Sequence, residues 1–442
     1  MSRRPGLIRD LFCPENGKTM KKKAPLVIIF ITIFLDLVGF GMVIPVLPFY
    51  AEHFGASALH IGMLAASFSL MQFIFAPVWG RLSDRIGRRP IILMSLIGST
   101  GSLLLFGLAS SLLFLFVARI LAGIFMANIS AAQAYIADVT PPEQRAKGMG
   151  LMGAAFGLGF IFGPAIGGVL SNTAVLENIN QLYATLSGTP VMQVIEADKY
   201  RIPFFFAAFL SLLNTLSAWL YLPESRTREE LEKARTSPAS SQSRFARIKA
   251  ALSKPGVGGL ILLFFVITVA FANLEATFAL MTERNLHFDA TENGYLFVFI
   301  GLIAAVVQGT LIGPLTRKFG ESRLLVTGLA MQGSGFFFLP YMMSLPDLLP
   351  FLALVSVGNA LSSPCLHSLI SKNTDRDEQG GVLGITQSMG SLARVVGPVW
   401  GGWFFDLFGV PAPYWSGGIL LLICASFAFT LTASLRASLR PE

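Results

Sequence analysis

Charge is what this chain lacks most: 13% of its 442 residues are Asp, Glu, Lys or Arg, against about a quarter in soluble domains. That scarcity excludes an ordinary water-soluble domain. Cysteine is nearly absent too. Cys13, Cys365 and Cys424 are too few and too scattered for a disulfide framework or a thiolate metal site, and all three are expected to be reduced. His53, His60, His287 and His367 show no ligand spacing, so no metal is expected. Zinc-protease pairs, nucleophile elbows and phosphate loops are missing, which argues against an enzyme. Gly157-x-Gly159-x-x-x-Gly163 is no dinucleotide fingerprint, because it lies inside an apolar run rather than after a strand. The opening segment has no small-residue cleavage site, so no removable signal peptide is predicted. Met20 is an alternative start, with residues 1–19 as an extension.

What the chain has in abundance is apolar sequence, 53% hydrophobic with 38 Phe and a mean hydropathy of +0.65. Runs of about 20 apolar residues are membrane-span candidates. Twelve are read, near 26–49, 61–80, 90–109, 112–136, 148–171, 203–222, 257–281, 294–314, 323–342, 348–370, 382–404 and 413–434. If both termini are cytosolic, the inner segments hold 28 of the 33 Lys and Arg. Lys199, Arg201 and Arg284 face outward, and Arg119 and Arg394 fall inside spans. Basic residues held on one side are a topology signal, so the net charge of +8 calls for no nucleic acid. The expected fold class is an all-α polytopic membrane protein of twelve transmembrane helices in two parallel six-helix repeats. The expected location is the plasma membrane, or the inner membrane of a bacterium.

The repeat is visible in the residues. Gly80-Arg-Leu-Ser-Asp-Arg-Ile-Gly-Arg-Arg-Pro90 is a dense basic turn, and Gly313-Pro-Leu-Thr-Arg-Lys-Phe-Gly320 repeats its outline 233 residues later. Glu143-Gln144 matches Glu378-Gln379, 235 residues on, and Gly163-Pro164-x-x-Gly167-Gly168 matches Gly397-Pro398-x-x-Gly401-Gly402, 234 residues on. Parallel repeats are one transporter architecture, with the substrate site at midplane between the halves. The resulting division is a cytosolic extension (1–25), a first half (26–222), a cytosolic linker (223–256), a second half (257–435) and a tail (436–442). Within the linker, Phe245, Ile248 and Leu252 are spaced for a short helix on the inner leaflet. The polar segment 172–202 reads either as a partly helical cap on the outer side or as an idle insertion.

Four motifs together resemble the major facilitator superfamily, in its twelve-helix drug/proton antiporter branch that includes the tetracycline exporters. They are Gly80–Pro90, Ala118-Arg-Ile-Leu-Ala-Gly123 in the fourth span, Gly153 to Gly168 in the fifth, and Leu35-Asp-Leu-Val-Gly-Phe-Gly-Met-Val-Ile-Pro-Val-Leu-Pro48 in the first. The resemblance runs from about Leu26 to Leu435. It implies alternating-access antiport of protons against a small amphipathic substrate, with no cofactor beyond the proton gradient and a monomer sufficient in the bilayer. Tetracycline exporters carry a His in the eighth span and an Asp in the ninth, where this chain has Ala304 and Gln332. Tetracycline itself is therefore unsupported as cargo, while drug or amphiphile export stands.

Asp36 lies roughly 15 Å into its span at about 1.5 Å per residue. A charge at bilayer centre costs on the order of 2.5–3.5 kcal/mol, so such a carboxylate normally faces the bundle interior. It reads as a proton carrier, or else as a packing hydrogen bond. By the resemblance Arg119 tunes a nearby carboxylate; otherwise it is a static post between helices. Glu275 is a second proton site, an attractor of cations or an interfacial residue. Arg394 balances a carboxylate or meets an anionic headgroup. Asn128, Gln133, Asn273, Gln308, Gln332 and Asn359 are cavity candidates, each with packing as the plainer reading. Phe156, Phe160, Phe271 and Phe278 are candidates for an aromatic cavity wall.

The Gly80–Pro90 segment reads as a gate or as topology alone. Gly80 and Gly87 permit a tight turn. Asp84 is expected, by resemblance, to meet the eleventh span near Gly381, and Arg85, Arg88 or Arg89 to pair with Asp138. Gly159, Gly163, Pro164, Gly167 and Gly168 read as a kinked hinge between the halves or as close helix packing. Proton-driven drug export leads. A lipid-like or metabolite carrier on the same scaffold is the alternative, and a non-transporting membrane sensor is remote because no soluble output domain is present.

Overall fold

The computed structural model describes residues 24–141, 145–187, 196–227, 229–232, 248, 250–254, 256–375 and 378–438. Phe245 and the Glu143-Gln144 pair lie outside them. The described residues are almost all helical, and eleven helices are long and apolar enough to cross a membrane. The first half comprises α1 (Ala24–His53), α2 (Ala58–Ile86), α3 (Arg88–Gly107), α4 (Leu112–Phe125), α5 (Ile129–Val139), α6 (Arg145–Leu170), α7 (Thr173–Ser187) and α8 (Glu196–Tyr221). A 3₁₀ turn, Met126–Asn128, joins α4 to α5 in one span. The second half comprises α9 (Val257–Leu286), α10 (Ala290–Val306), α11 (Ile312–Phe319), α12 (Glu321–Phe338), α13 (Leu345–Lys372), α14 (Gln379–Phe408) and α15 (Pro411–Ser438). A π turn, Val307–Leu311, joins α10 to α11.

The predicted span 382–404 falls in α14. That helix is not among the eleven, because Gly, Ser, Gln and Arg394 dilute its apolar residues. Leu113, Leu220, Phe408 and Phe429 are each at least 65% exposed, the coating expected of helices solvated by lipid tails. Helix starts on one face carry side-chain caps: the Ser57 and Ser111 hydroxyls accept from the amides of His60 and Phe114, and the Asp289 carboxylate from that of Thr291.

Packing repeats between the halves. In the first, α1 packs on α6 and α8, and α3 packs on α8; in the second, α9 packs on α14 and α15, and α12 packs on α15. Across the halves α6 meets α10 and α2 meets α14. Glycine sets these approaches. A Cβ on Gly163 would come 2.6 Å from the Gly41 Cα of α1, and one on Gly397 would come 2.5 Å from the Val269 carbonyl of α9. A Cβ on Gly168 would come 2.9 Å from the Ala290 carbonyl of α10, and one on Gly402 would collide with the Ala58 carbonyl of α2.

The two ends of the bundle differ. At the end away from the 223–256 linker, the halves are pressed together. Asp406 of α14 accepts from the Ala58 and Leu59 amides of α2 at 3.1 and 2.9 Å, and Gly294 sits against the Pro164 carbonyl. At the linker end, Gly150, Gly153, Gly157, Gly309, Gly313, Gly380, Gly381 and Gly384 have nothing within 4 Å of where a Cβ would stand. The bundle is closed at one face and parted at the linker face.

The segment 172–202 contains a helix, α7, within which Leu182 and Leu186 are exposed.

Candidate functional site

Four charged side chains lie far from any helix end: Asp36 on α1, Arg119 on α4, Glu275 on α9 and Arg394 on α14. Asp36 accepts from the Ser99 hydroxyl of α3 at 3.3 Å. Arg119 is only 6% exposed. Its guanidinium carbon stands 4.5 Å from the centre of the Phe68 ring and 5.8 Å from that of Phe40, within the range of cation–π attraction. Those two rings stack at 5.2 Å, and Phe160 of α6 meets Phe40 edge-on at 6.0 Å.

The carboxylate within electrostatic reach of Arg119 is Glu275, from the opposite half, and Arg394 is within reach of Glu275 as well. Asp36 is set apart from this group. Among the described residues none of the three makes a direct ion pair, and the Arg119 Nε is buried with no hydrogen-bond partner. Arg119, Glu275 and Arg394 thus form a group of charges drawn from both halves, two cations and one anion.

The polar cavity candidates divide. Gln133 on α5 and Gln308 in the π turn are exposed, Asn359 on α13 is half-buried, and Asn128 is 8% exposed. Asn273 and Gln332 do not line the opening, being 2% and 0% exposed. Asn273 donates to the Pro413 carbonyl at 2.7 Å, and Gly358 lets α13 press against the Gln332 backbone. Close helix packing has enclosed both. Phe278 is likewise fully buried, whereas Phe160 is 38% exposed.

The segment 80–90 is not a turn with a glycine at each end. α2 continues to Ile86 and α3 starts at Arg88, so Gly87 alone breaks the helix, at φ +109°. Gly80 is helical and accepts from the Ser83 hydroxyl at 2.8 Å. Gly313 is helical as well, and Gly320 makes the matching break at φ +78°. Arg88 bridges Asp84 at 2.8 Å and Asp138 at 3.2 Å. Asp84 does not reach α14 here; it binds Arg88 and, at 3.1 Å, Arg226. Glu224 accepts from the amides of Arg88 and Arg89 at 2.9 and 3.1 Å, capping α3. The Arg89 guanidinium donates to the Trp219 carbonyl at 2.6 Å. All of these contacts lie within the first half and the start of the linker that follows it, so the network is a clamp on that half rather than a latch between halves.

The hinge glycines also resolve by direction. Gly159, Gly163 and Gly167 face Leu37, Gly41 and Met42 of α1 in their own half, and only Gly168 faces α10. Three residues important to the geometry gave no signal in the sequence reading: Glu224 and Arg226, just past α8, and Asp406, which joins the halves at the closed face. Each acts on a helix end distant in sequence.

A membrane-embedded helical bundle, parted at one face with charges gathered where its halves meet, defines a carrier of small molecules rather than an enzyme. The family model described as Major Facilitator Superfamily matches residues 29–312 and 260–442, and the chain belongs to that superfamily. It is 31% identical over 422 residues to the class C tetracycline resistance protein of Escherichia coli, covering 95% of this chain and 98% of that protein. It is 30% identical to multidrug resistance protein 1 of Bacillus subtilis (strain 168), covering 95% and 99%. Among solved structures it resembles the human organic anion transporter MFSD10 (TETRAN), at TM-score 0.64 and 25% identity over 93% of this chain and 100% of that one. A bacterial homolog of the human lysosomal transporter Spinster, in an inward-facing and occupied conformation, shares the fold at TM-score 0.76 and 17% identity, covering 94% and 98%. The protein is an integral membrane transporter.

Proposed function

We propose that the chain is a proton-coupled exporter of amphipathic small molecules, working as a monomer by alternating access between two repeated halves. The observation that carries the reading is the set of intramembrane charges, Asp36 on one side and Arg119–Glu275–Arg394 across the halves. Charged groups within spans are costly and mark ion and substrate paths. A carboxylate whose cation partner approaches or withdraws takes up and releases a proton. The parted linker face supports one state of an alternating-access cycle. Its basic residues favour a cytosolic assignment for that face, in the plasma membrane or a bacterial inner membrane. The proton gradient is the energy source, with no cofactor, and the membrane potential adds about 2.3 kcal/mol per charge per 100 mV.

The test is proton movement in inverted membrane vesicles with a preset pH gradient, challenged by a panel of amphipathic compounds. A compound that collapses the gradient with the parent but not with Asp36→Asn, at equal expression, is the expected result. Coupled export undiminished in Asp36→Asn would remove Asp36 from the mechanism. Movement of headgroup-bearing lipids with no coupled proton flux would favour the lipid-like carrier instead.

A further inference from the structure

The closed face is held chiefly at its seams. On this face a cavity of about 510 Å³ opens between Glu52 and Lys199 of the first half and Glu283 and Arg284 of the second. Closure therefore falls mainly to the lines where the halves touch, α6 on α10 and α2 on α14. The α2–α14 seam is built from backbone. A Cβ on Gly62 would collide with the Pro398 carbonyl, and one turn nearer the closed face a Cβ on Gly402 would collide with that of Ala58. One further turn along α14 stands Asp406, whose carboxylate crosses the seam to the Ala58 and Leu59 amides at 3.1 and 2.9 Å.

Helices solvated by lipid gain no hydrophobic drive from packing on one another, so a seam of small residues is held by dispersion and by its polar contacts. Such a seam parts without unpacking interlocked side chains, and the polar contact at its tip decides when it does so. Asp406 has the properties of a contact made and broken in turn. It is exposed, so releasing the bond leaves no charge stranded in a dry interior. The two amides it binds are ones that the local cap of α2 leaves over. That cap consists of the Ser57 hydroxyl, which accepts from the His60 amide, and His60 Nδ1, which accepts from the Ser57 amide at 3.2 Å. Release thus hands two backbone donors to water while the start of α2 stays capped. At the parted linker face, the other end of the same pair of helices has no such bond. There α14 begins at Gln379 without a side-chain cap, and Gly380 and Gly381 stand in open space.

We propose that Asp406 is the latch of the closed face: its two bonds to the first turn of α2 hold the halves together there, and their release lets that face part. The latch rests on the alternating-access reading above for its place in a cycle, but not for its effect on closure. The carboxylate supplies charge-assisted hydrogen bonds, roughly twice as strong as neutral ones, at the tip of a seam that otherwise offers backbone contact alone.

The test measures distances by double electron–electron resonance on the full chain in lipid nanodiscs, with Cys13, Cys365 and Cys424 replaced by alanine in every sample. Spin labels at Leu113→Cys and Met343→Cys, both exposed, report the closed face. Labels at Gly150→Cys and Gly380→Cys, both in open space, report the linker face. Asp406→Ala is expected to raise the population with a long closed-face distance about tenfold, the scale of one lost hydrogen bond to a charged group. Asp406→Asn keeps the shape and one acceptor oxygen, and is expected to raise that population by less. Leu407→Ala, exposed beside it, is expected to leave both distances at their parent values. A closed-face distribution unchanged in both Asp406 variants overturns the latch. The linker-face pair separates the latch from the cycle. Shortening there as the closed face lengthens is the exchange expected of both together. Lengthening at the closed face alone keeps the latch and removes alternating access. Exchange in the parent that neither Asp406 variant shifts keeps alternating access and removes the latch.

Discussion

The two halves solve the same problem at the linker face with opposite charges. Arg88 begins α3 and pairs with Asp138 at the end of α5. The repeat shift carries these positions onto Glu321, which begins α12, and Lys372, which ends α13, and these two pair at 2.7 Å. The acid and the base have changed places while the bond has stayed. Their surroundings differ more than their chemistry. Arg88 is 5% exposed and also donates to the Ser83 hydroxyl at 2.7 Å, inside a network that includes Asp84, Arg226 and Glu224. The Lys372 side chain is 65% exposed, and among the described residues the pair's carboxylate has one further partner, the Ser368 hydroxyl at 2.7 Å. A pair enclosed in a network holds geometry, whereas a solvated pair contributes little. The first half is therefore the stiffer body at this face.

The largest expected effect comes from breaking the enclosed pair. Arg88→Ala removes the nearer of the two cations that Asp84 and Asp138 share and leaves Arg226 to hold both. Removing one partner of a buried pair costs about 3–5 kcal/mol, and the partial exposure of both acids places this case near the lower bound. Thermal unfolding of the detergent-purified variant checks it. A melting temperature unchanged from the parent would mean that Arg226 alone suffices to hold the clamp.

A sharper comparison uses the two helix-breaking glycines. Gly87 and Gly320 share the same backbone region, with φ +109° and +78° and ψ near 155° in both. Any other residue there costs about 1–3 kcal/mol in strain. A Cβ on Gly320 would meet nothing, whereas one on Gly87 would strike the Glu224 carboxylate that caps α3. Gly87→Ala should therefore destabilise more than Gly320→Ala, by about the 1 kcal/mol typical of a lost cap. Equal losses would show that Glu224 contributes nothing to the start of α3.

Much of the fold was legible because its signals are local. Span length and glycine-proline motifs at a fixed shift located the helices, and Arg88–Asp138 was among the pairings expected at the inner ends. What stayed hidden depends on which way a side chain points. Nothing in the string separates Gly168, which faces the other half, from Gly167, one residue away and packed on α1. Asn273 and Gln332 looked like cavity residues because polar groups are rare in spans, yet glycine-driven packing enclosed both. The electrostatic partner of Arg119 was hidden for another reason. Glu275 belongs to the opposite half, and the two come within electrostatic reach only once the halves have docked. Asp406 was equally invisible, since its role is to cap a helix 348 residues away in the chain.

The smallest effect is expected at the solvated pair, and its size tests the whole comparison. Lys372→Ala removes the cation beside Glu321 but leaves that carboxylate its Ser368 donor and access to water. Exposed pairs are typically worth 0.2–1 kcal/mol, and less as salt screens them. The variant should unfold within about 1 kcal/mol of the parent, and raising the ionic strength should narrow that gap. Restoring charge in the reversed order, with Glu321→Arg and Lys372→Asp together, should recover the parent stability, since the first half shows that the opposite arrangement joins the same positions. The same reversal in the first half, Arg88→Glu with Asp138→Lys, should fail, because the new carboxylate at position 88 stands beside Asp84 and beside Glu224, which the backbone amides of positions 88 and 89 still hold in place. Recovery in both halves would reduce the two clamps to interchangeable surface pairs. Recovery in the second alone would show that position in the repeat fixes where a bond forms, and that the surrounding network fixes which charge stands at each end.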